Sequence, residues 1–228
     1  MEGSIGPVTM YKLYGKWVMR QRYGPDAKTM TENENYTPQR NHGKEFGGVS
    51  RASKLLREGF RRLISEMADP EMHGRMTKTL NAIKNLDISP KGERTVARGL
   101  LKPGGRAMLT GWNANLHGMV PIGAIKKATQ ALESETLVLL HTDVTASGKA
   151  VKVTAVWMRV DFEHGDSRSE EMPAAILLPG GEVRWQRPVW FESASGTVFL
   201  IISIRELIPN GKGWTASGDR RKMGLVVI

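Results

Sequence analysis

The amino-acid sequence predicts an α+β fold, in which an N-terminal β-hairpin and a helical hairpin precede an antiparallel β-sandwich of immunoglobulin-like or Greek-key type. Apolar residues recur at helical spacing in the first half and alternate with a period of two after about residue 105. Glycine-rich turns separate the alternating runs. We expect an N-terminal hairpin and extended arm (1–49), a helical hairpin region (50–104) and a β-sandwich domain (105–228).

Residues 5–23 are predicted to form the β-hairpin. Alternating side chains flank a tight turn at Tyr14-Gly15, where Gly15 can adopt a positive φ. A two-stranded hairpin is only marginally stable in water, so this one must pack on something else. Residues 24–49 contain few apolar side chains, which predicts a long loop or arm.

The clearest helix is predicted over residues 50–68, where apolar side chains three and four positions apart form one stripe. Ser50 is a plausible N-cap. Asp69-Pro70 ends this helix and begins a second one, which continues to about Leu86. The basic residues of the first helix fall outside the stripe: Arg51, Lys54, Arg57, Arg61 and Arg62.

The C-terminal half is predicted to contain seven short strands, separated by turns. They span residues 107–116, 136–142, 151–163, 172–178, 183–191, 197–207 and 223–228. Residues 198–204 are mostly apolar on both faces, so we expect a central strand that is covered on both sides. Residues 121–134 are compatible with a strand crossover or with a short helix.

Composition excludes several kinds of site. The chain has 228 residues and no cysteine, so it holds no disulfide framework, thiolate zinc site or cysteine nucleophile. Its five histidines are widely spaced, and neither a nucleophile elbow nor a P-loop occurs. We therefore expect no enzymatic activity, no cofactor, no metal and no small-molecule substrate.

Membrane and export signals are also missing from the sequence. No apolar run is long enough for a transmembrane helix, and no secretion signal is recognised at the N-terminus. A cytoplasmic location is the default expectation, unless the protein is part of an exported or virion-like particle.

A pattern around the first long helix resembles a family of uncharacterised bacterial proteins that is frequent in Bacteroidota. The residues that carry the resemblance are Arg40, Glu45-Phe46-Gly47, Ser50, Lys54-Leu55-Leu56-Arg57 and Leu109-Thr110-Gly111-Trp112. Members of that family look alike in having an N-terminal hairpin, a helical hairpin and an all-β C-terminal half. The resemblance implies this architecture and brings no activity, cofactor or catalytic residue.

Two functional hypotheses remain. The first is a structural protein that assembles with itself into a ring, tube or filament through its N-terminal arm, because an unpaired strand edge can pair with another chain. Aromatic residues that suit an interface cluster there, with candidate contacts at Tyr11, Tyr14, Trp17 and Tyr36.

The alternative is binding of nucleic acid or another polyanion. The chain carries a formal net charge of +10, and most of the basic surplus lies in residues 1–102. Basic surfaces of this kind bind polyanions, although many are simply solvated. The candidate binding residues are those on the basic face of the first helix: Arg51, Lys54, Arg57, Arg61 and Arg62.

Overall fold

The computed structural model describes residues 3–21, 24–191, 196–211 and 213–228. The chain divides into two compact units, an N-terminal unit (1–43) and a core unit (44–228). Helices and antiparallel sheets are both present, which confirms the α+β class. Residues 22 and 23 of the predicted hairpin lie outside the described residues.

The N-terminal unit begins with a three-stranded antiparallel sheet in the order β1 (Gly3–Ile5), β2 (Val8–Leu13) and β3 (Lys16–Gln21). Between β2 and β3, Tyr14 has φ 49° and Gly15 has φ 80°. Positive φ at both central residues is the geometry of a type I′ turn, which matches the twist of the flanking strands. The predicted hairpin and the role of Gly15 are confirmed, and β1 adds a third strand.

Helices replace much of the predicted loop over residues 24–49. They are α1 (Ala27–Glu32), a 3-10 turn (Glu34–Tyr36) and α2 (Thr37–Glu58). The Asp26 carboxylate caps α1 by accepting a 2.7 Å hydrogen bond from the Thr29 N–H. The loop prediction was wrong because a low apolar content indicates that a segment is exposed, and an exposed segment can still form a helix.

The start of α2 differs from the predicted start at residue 50. Pro38 lies in the first turn, where its missing N–H costs no hydrogen bond. Ser50 therefore lies inside the helix and caps nothing. The Arg40 guanidinium donates 2.9 Å hydrogen bonds to the carbonyls of Met30 and Asn33, which ties α2 to the segment before it.

The predicted helix 50–68 is interrupted after Glu58, and α3 (Arg61–Met67) follows. A Cβ on Gly59 would lie 2.3 Å from the Sδ of Met158, so the flexible end of the Met158 side chain packs against the backbone at this break. Asp69-Pro70 separates α3 from α4 (Met72–Lys84) as predicted, but the second helix begins two residues after Pro70, with Glu71 and not Asp69 at the N-cap position.

The remaining elements all belong to the core unit. Its other helices are α5 (Val96–Leu100), α6 (Ile122–Ala131) and α7 (His141–Val144). Its strands are β4 (Trp112–Asn113), β5 (Thr136–Leu140), β6 (Val151–Asp161), β7 (Asp166–Glu171), β8 (Ala175–Leu177), β9 (Glu182–Gln186), β10 (Thr197–Pro209), β11 (Trp214–Ala216) and β12 (Met223–Val227).

Several strand predictions need correction. The predicted strand 183–191 ends at Gln186 as β9 and is followed by a 3-10 turn (Val189–Phe191), and β11 was not predicted. Residues 107–116 are mostly turns and contribute only the short β4, while residues 172–178 contribute only β8. Strand β7 occupies residues 166–171, where hydrophilic side chains gave no apolar alternation. The undecided stretch 121–134 contains α6.

The main sheet has seven antiparallel strands. Its path is β4-β12-β10-β6-β7, with β11 paired to β10 and β8 paired to β6. Strand β10 lies between β12 and β6, and residues 199–204 are buried, which confirms the predicted central strand. Strands β5 and β9 form a separate two-stranded sheet.

Two hydrophobic clusters cover opposite faces of the main sheet. Met158 and Phe199 join residues of α2 to α4 in one cluster. Trp157 and Leu200, their neighbours along β6 and β10, pack with α6 and the β5–β9 sheet in the other. The alternation follows from the period of two in a strand. A complete β-sandwich stays a prediction, because the second sheet in the described residues has two strands.

None of the helices in the described ranges combines the length and the apolar character that a membrane crossing requires.

Candidate functional site

One face of the N-terminal sheet carries a row of apolar side chains. Residues directly opposite each other in a strand pair share a face, as do alternate residues along a strand. Met10 lies opposite Met19, and Ile5 lies opposite Val8. Trp17 lies two residues before Met19 and so shares this face. We call Ile5, Val8, Met10, Trp17 and Met19 the apolar face.

The apolar face is largely open to solvent, with Val8 and Met10 half-buried. The exposed fractions are 73% for Ile5, 69% for Met19 and 50% for Trp17. Within residues 3–21 and 24–43, no described residue of the N-terminal unit is buried. The charged neighbour on this face is Lys12, whose ammonium lies 5.1 Å from the centre of the Trp17 ring.

The four aromatic residues selected from the sequence are dispersed. Only Trp17 lies on the apolar face. Tyr11 lies opposite Val18 on the reverse side of the sheet, and Tyr14 is 96% exposed in the turn. Tyr36 ends the 3-10 turn. In the sequence, the apolar residues Ile5, Val8, Met10 and Met19 indicate this face. A selection of aromatic residues alone does not find it.

The five basic residues also separate into different environments. Lys54, Arg57 and Arg61 line a groove of about 560 Å³ in the core unit. Arg51 lines a different cleft, of about 510 Å³. Arg62 forms ion pairs with Glu66 and Glu171, so its charge is balanced.

The groove receives further residues that the sequence did not single out. His73 enters from α4, and Glu58, Ile64 and Ser65 complete the lining. One arm of the Arg57 guanidinium, Nη1, donates to Nδ1 of His73, and Nε donates to the Ser53 carbonyl over 3.1 Å. Burial lowers the pKa of Arg57, although Glu58 partly offsets the effect. We call Lys54, Arg57, Arg61 and His73 the cationic groove.

The second cleft contains a buried ion pair. The Glu45 carboxylate lies 2.6 Å from the Lys84 ammonium and accepts a 2.7 Å hydrogen bond from the Gly92 N–H. Arg94 Nε lies 3.3 Å from the same carboxylate. Burial raises the pKa of Glu45, but the hydrogen bonds and the two cations outweigh it, and the net pKa is lowered.

A second buried carboxylate holds the loop between α4 and α5. Asp87 accepts hydrogen bonds from the Ser89 hydroxyl, the Thr95 N–H and Arg98 Nε at 2.7 to 2.9 Å. Burial raises the pKa of Asp87, yet these donors outweigh it and hold the pKa well below its usual range. The donors of both carboxylates come from the chain itself, which indicates a structural role.

The rim of the second cleft carries a histidine beside an acid. His164 Nδ1 lies 2.8 Å from Asp161 Oδ2, in the turn between β6 and β7. This contact raises the pKa of His164, and hydrogen bonds from the His164 N–H and ring lower the pKa of Asp161 to about 2. In the described part of the chain, no three His, Asp or Glu side chains are grouped so that they could hold a metal ion.

Comparison with known proteins adds no relative: no family model, curated protein or solved structure matches this chain. The resemblance to the Bacteroidota-type family therefore rests on the sequence pattern alone. Among the residues that carry the resemblance, Glu45 is buried and forms an ion pair with Lys84.

Proposed function

We propose that this chain is a structural, non-catalytic protein that assembles with itself through its N-terminal unit. One observation carries the proposal: the N-terminal sheet exposes a row of large apolar side chains, and no described residue of that unit is buried. A small sheet with one apolar face needs a partner surface before it becomes stable. Contiguous exposed apolar residues commonly mark such an interface.

Hydrophobic burial supplies the driving force for association. Each Å² of apolar surface that leaves water contributes roughly 25 cal/mol, so covering side chains of the size of Ile5, Trp17 and Met19 contributes several kcal/mol. Part of this gain offsets the lost translational and rotational freedom of the associating chains.

The scarcity of charge on the apolar face favours an equally apolar partner, and a second copy of the chain offers one. The apolar face has Lys12 as its charged member in the described residues, so it presents no charge pattern that selects an oppositely charged partner. A second apolar face of the same kind matches it in polarity.

The edges of the sheet allow the assembly to grow. Within the described residues, β1 and β3 each pair with β2 only, so each leaves an outer edge of backbone N–H and C=O groups. Pairing of β1 in one copy with β3 in the next is a heterologous contact. Such contacts repeat into a ring when the rotation closes, and into a tube or filament when it does not.

Multi-angle light scattering of the full-length protein tests the proposal. We expect a large species at micromolar concentration and physiological salt. Met19→Lys and Ile5→Lys should dissociate it, because each places a charge in the apolar contact. Val18→Lys is the matched control, because Val18 lies on the same strand as Met19 and faces the other way.

Two outcomes would reject the proposal. One is a monomeric full-length chain under these conditions. The other is equal dissociation by Met19→Lys and Val18→Lys, with circular dichroism unchanged, since the apolar face would then have no special part in the contact.

A further inference from the structure

The cationic groove carries more positive charge than Glu58, the carboxylate among its described lining residues, can neutralise. Arg62, Arg75, Arg94 and Arg98 each form an ion pair with a carboxylate. In the described ranges, Arg57 forms no such pair, and Arg61 has no hydrogen-bond or ion-pair partner. Cations that line a concave surface focus a positive potential and raise the local concentration of anions.

Arg57 is held in place before any ligand arrives. Its Nε and Nη1 are occupied by the Ser53 carbonyl and by His73. Its Nη2 has no partner among the described residues and remains free to donate. A guanidinium that is already positioned loses little side-chain freedom on binding, which favours affinity.

His73 provides a further donor. Its Nδ1 accepts from Arg57, so a neutral ring carries its proton on Nε2. The ring thus offers an N–H close to the guanidinium. The opposing group is Glu58, whose carboxylate lies 3.7 Å from the Lys54 ammonium.

We propose that the cationic groove binds two neighbouring phosphate groups, held chiefly by Arg57 and Arg61. Guanidinium groups form short, charge-assisted hydrogen bonds with phosphate oxygens, often in pairs. Among the described residues that line the groove there is no Trp, Tyr or Phe, so they offer no platform on which bases could stack. Binding therefore depends on the phosphates and not on the base sequence.

This proposal is independent of self-assembly, because it concerns the core unit. Two neighbouring phosphate groups can come from the backbone of a single-stranded nucleic acid or from a free polyphosphate. The probes that separate them are a fluorescein-labelled oligo-dT of about 12 nucleotides, which is within the range of known single-strand sites, and inorganic pyrophosphate.

Fluorescence anisotropy measures binding of the oligo-dT. We expect Arg61→Gln and Arg57→Gln each to weaken binding about tenfold, because each removes a charged hydrogen bond. Lys54, Arg57 and Arg61 line the groove, so we expect three cations to contact the phosphates. Raising the salt from about 50 to about 200 mM should then weaken wild-type binding roughly twentyfold. Each substitution should reduce this dependence on salt.

Two further variants sharpen the test. Glu58→Gln should strengthen binding several-fold, because it removes the acid from the groove. Lys78→Gln is the control, because Lys78 is exposed on the same helix as His73 and lies outside the groove lining. It removes one positive charge and should leave the affinity nearly unchanged.

The oligo-dT and pyrophosphate probes show which molecule supplies the bound phosphates. Binding of oligo-dT that pyrophosphate displaces supports the proposal with a nucleic-acid strand as the source. Calorimetric binding of pyrophosphate without binding of oligo-dT supports it with a free polyphosphate. The proposal is overturned if neither probe binds at low salt, or if Arg57→Gln and Arg61→Gln bind like the wild type or like Lys78→Gln.

Discussion

The N-terminal unit and the core unit use apolar residues in opposite ways. In the core unit, side chains such as Leu56, Phe60 and Trp157 are almost completely buried between the main sheet and the elements that cover it. In the N-terminal unit, Ile5 and Met19 are exposed on a sheet with regular hydrogen bonding. Backbone pairing alone therefore does not create a core, and the apolar face of the small sheet stays largely exposed.

The same contrast applies to charges within the core unit. The Glu45–Lys84 pair is closed to solvent, and each charge has an opposite partner. In the cationic groove, Arg61 is exposed and has no acidic partner in the described ranges. The first arrangement stabilises the fold, whereas the second leaves positive charge available to a ligand.

The largest expected effect concerns the buried core. Phe60→Ala should lower the free energy of unfolding by about 3–5 kcal/mol, because Phe60 is 2% exposed and its removal leaves a cavity. The neighbouring Arg61→Ala should cost about 0.5 kcal/mol or less, as is typical of surface changes. Urea denaturation measures both, and equal losses would contradict the assignment of the helix faces.

The buried ion pair gives the next effect. Glu45→Gln should cost about 3 kcal/mol, because it leaves the Lys84 ammonium buried without a charged partner. The double variant Glu45→Met/Lys84→Met should recover much of this loss. Glu58→Gln, which breaks the exposed pair with Lys54, should cost about 0.5 kcal/mol or less. A similar cost for Glu45→Gln and Glu58→Gln would contradict the contrast.

A smaller effect depends on pH. Because the folded protein lowers the pKa of Asp87, the ionised carboxylate contributes stability above the ordinary aspartate pKa of about 3.9, and this contribution is lost as the pH falls through the lower folded value. Asp87→Asn should therefore destabilise the protein most near neutral pH, and the difference from wild type should shrink below about pH 4. Urea melts across this range measure it, and a difference that grew on acidification would contradict the sign.

The smallest effect on the core is expected from deletion of residues 1–36. All residues of the two hydrophobic clusters come from residue 49 onward, so the free energy of unfolding of the core should change by less than about 0.5 kcal/mol. The shortened protein should also no longer form large particles. An unfolded or aggregated product would mean that the N-terminal unit completes the core of its own chain.

Several elements could be predicted from local sequence. Strands β6, β10 and β12 follow apolar runs that a sheet can bury, and the turn at Gly15 follows from the freedom of glycine at positive φ. The beginning of α2 and the existence of β7 could not be predicted in this way. Their residues are largely polar, and neither kind of element needs an apolar stripe when caps or neighbouring strands supply the hydrogen bonds.

The change of apolar periodicity along the chain predicts the α+β class, and residue types within one short segment predict the central strand and the separation of α3 from α4. Long-range packing sets the contact of Gly59 with Met158, the burial of Glu45 and the meeting of Arg57 with His73. Met158, Lys84 and His73 are distant in sequence from the groups that they contact, and packing alone brings them together. Charge and spacing along one helix therefore could not distinguish paired Arg62 from unpaired Arg61.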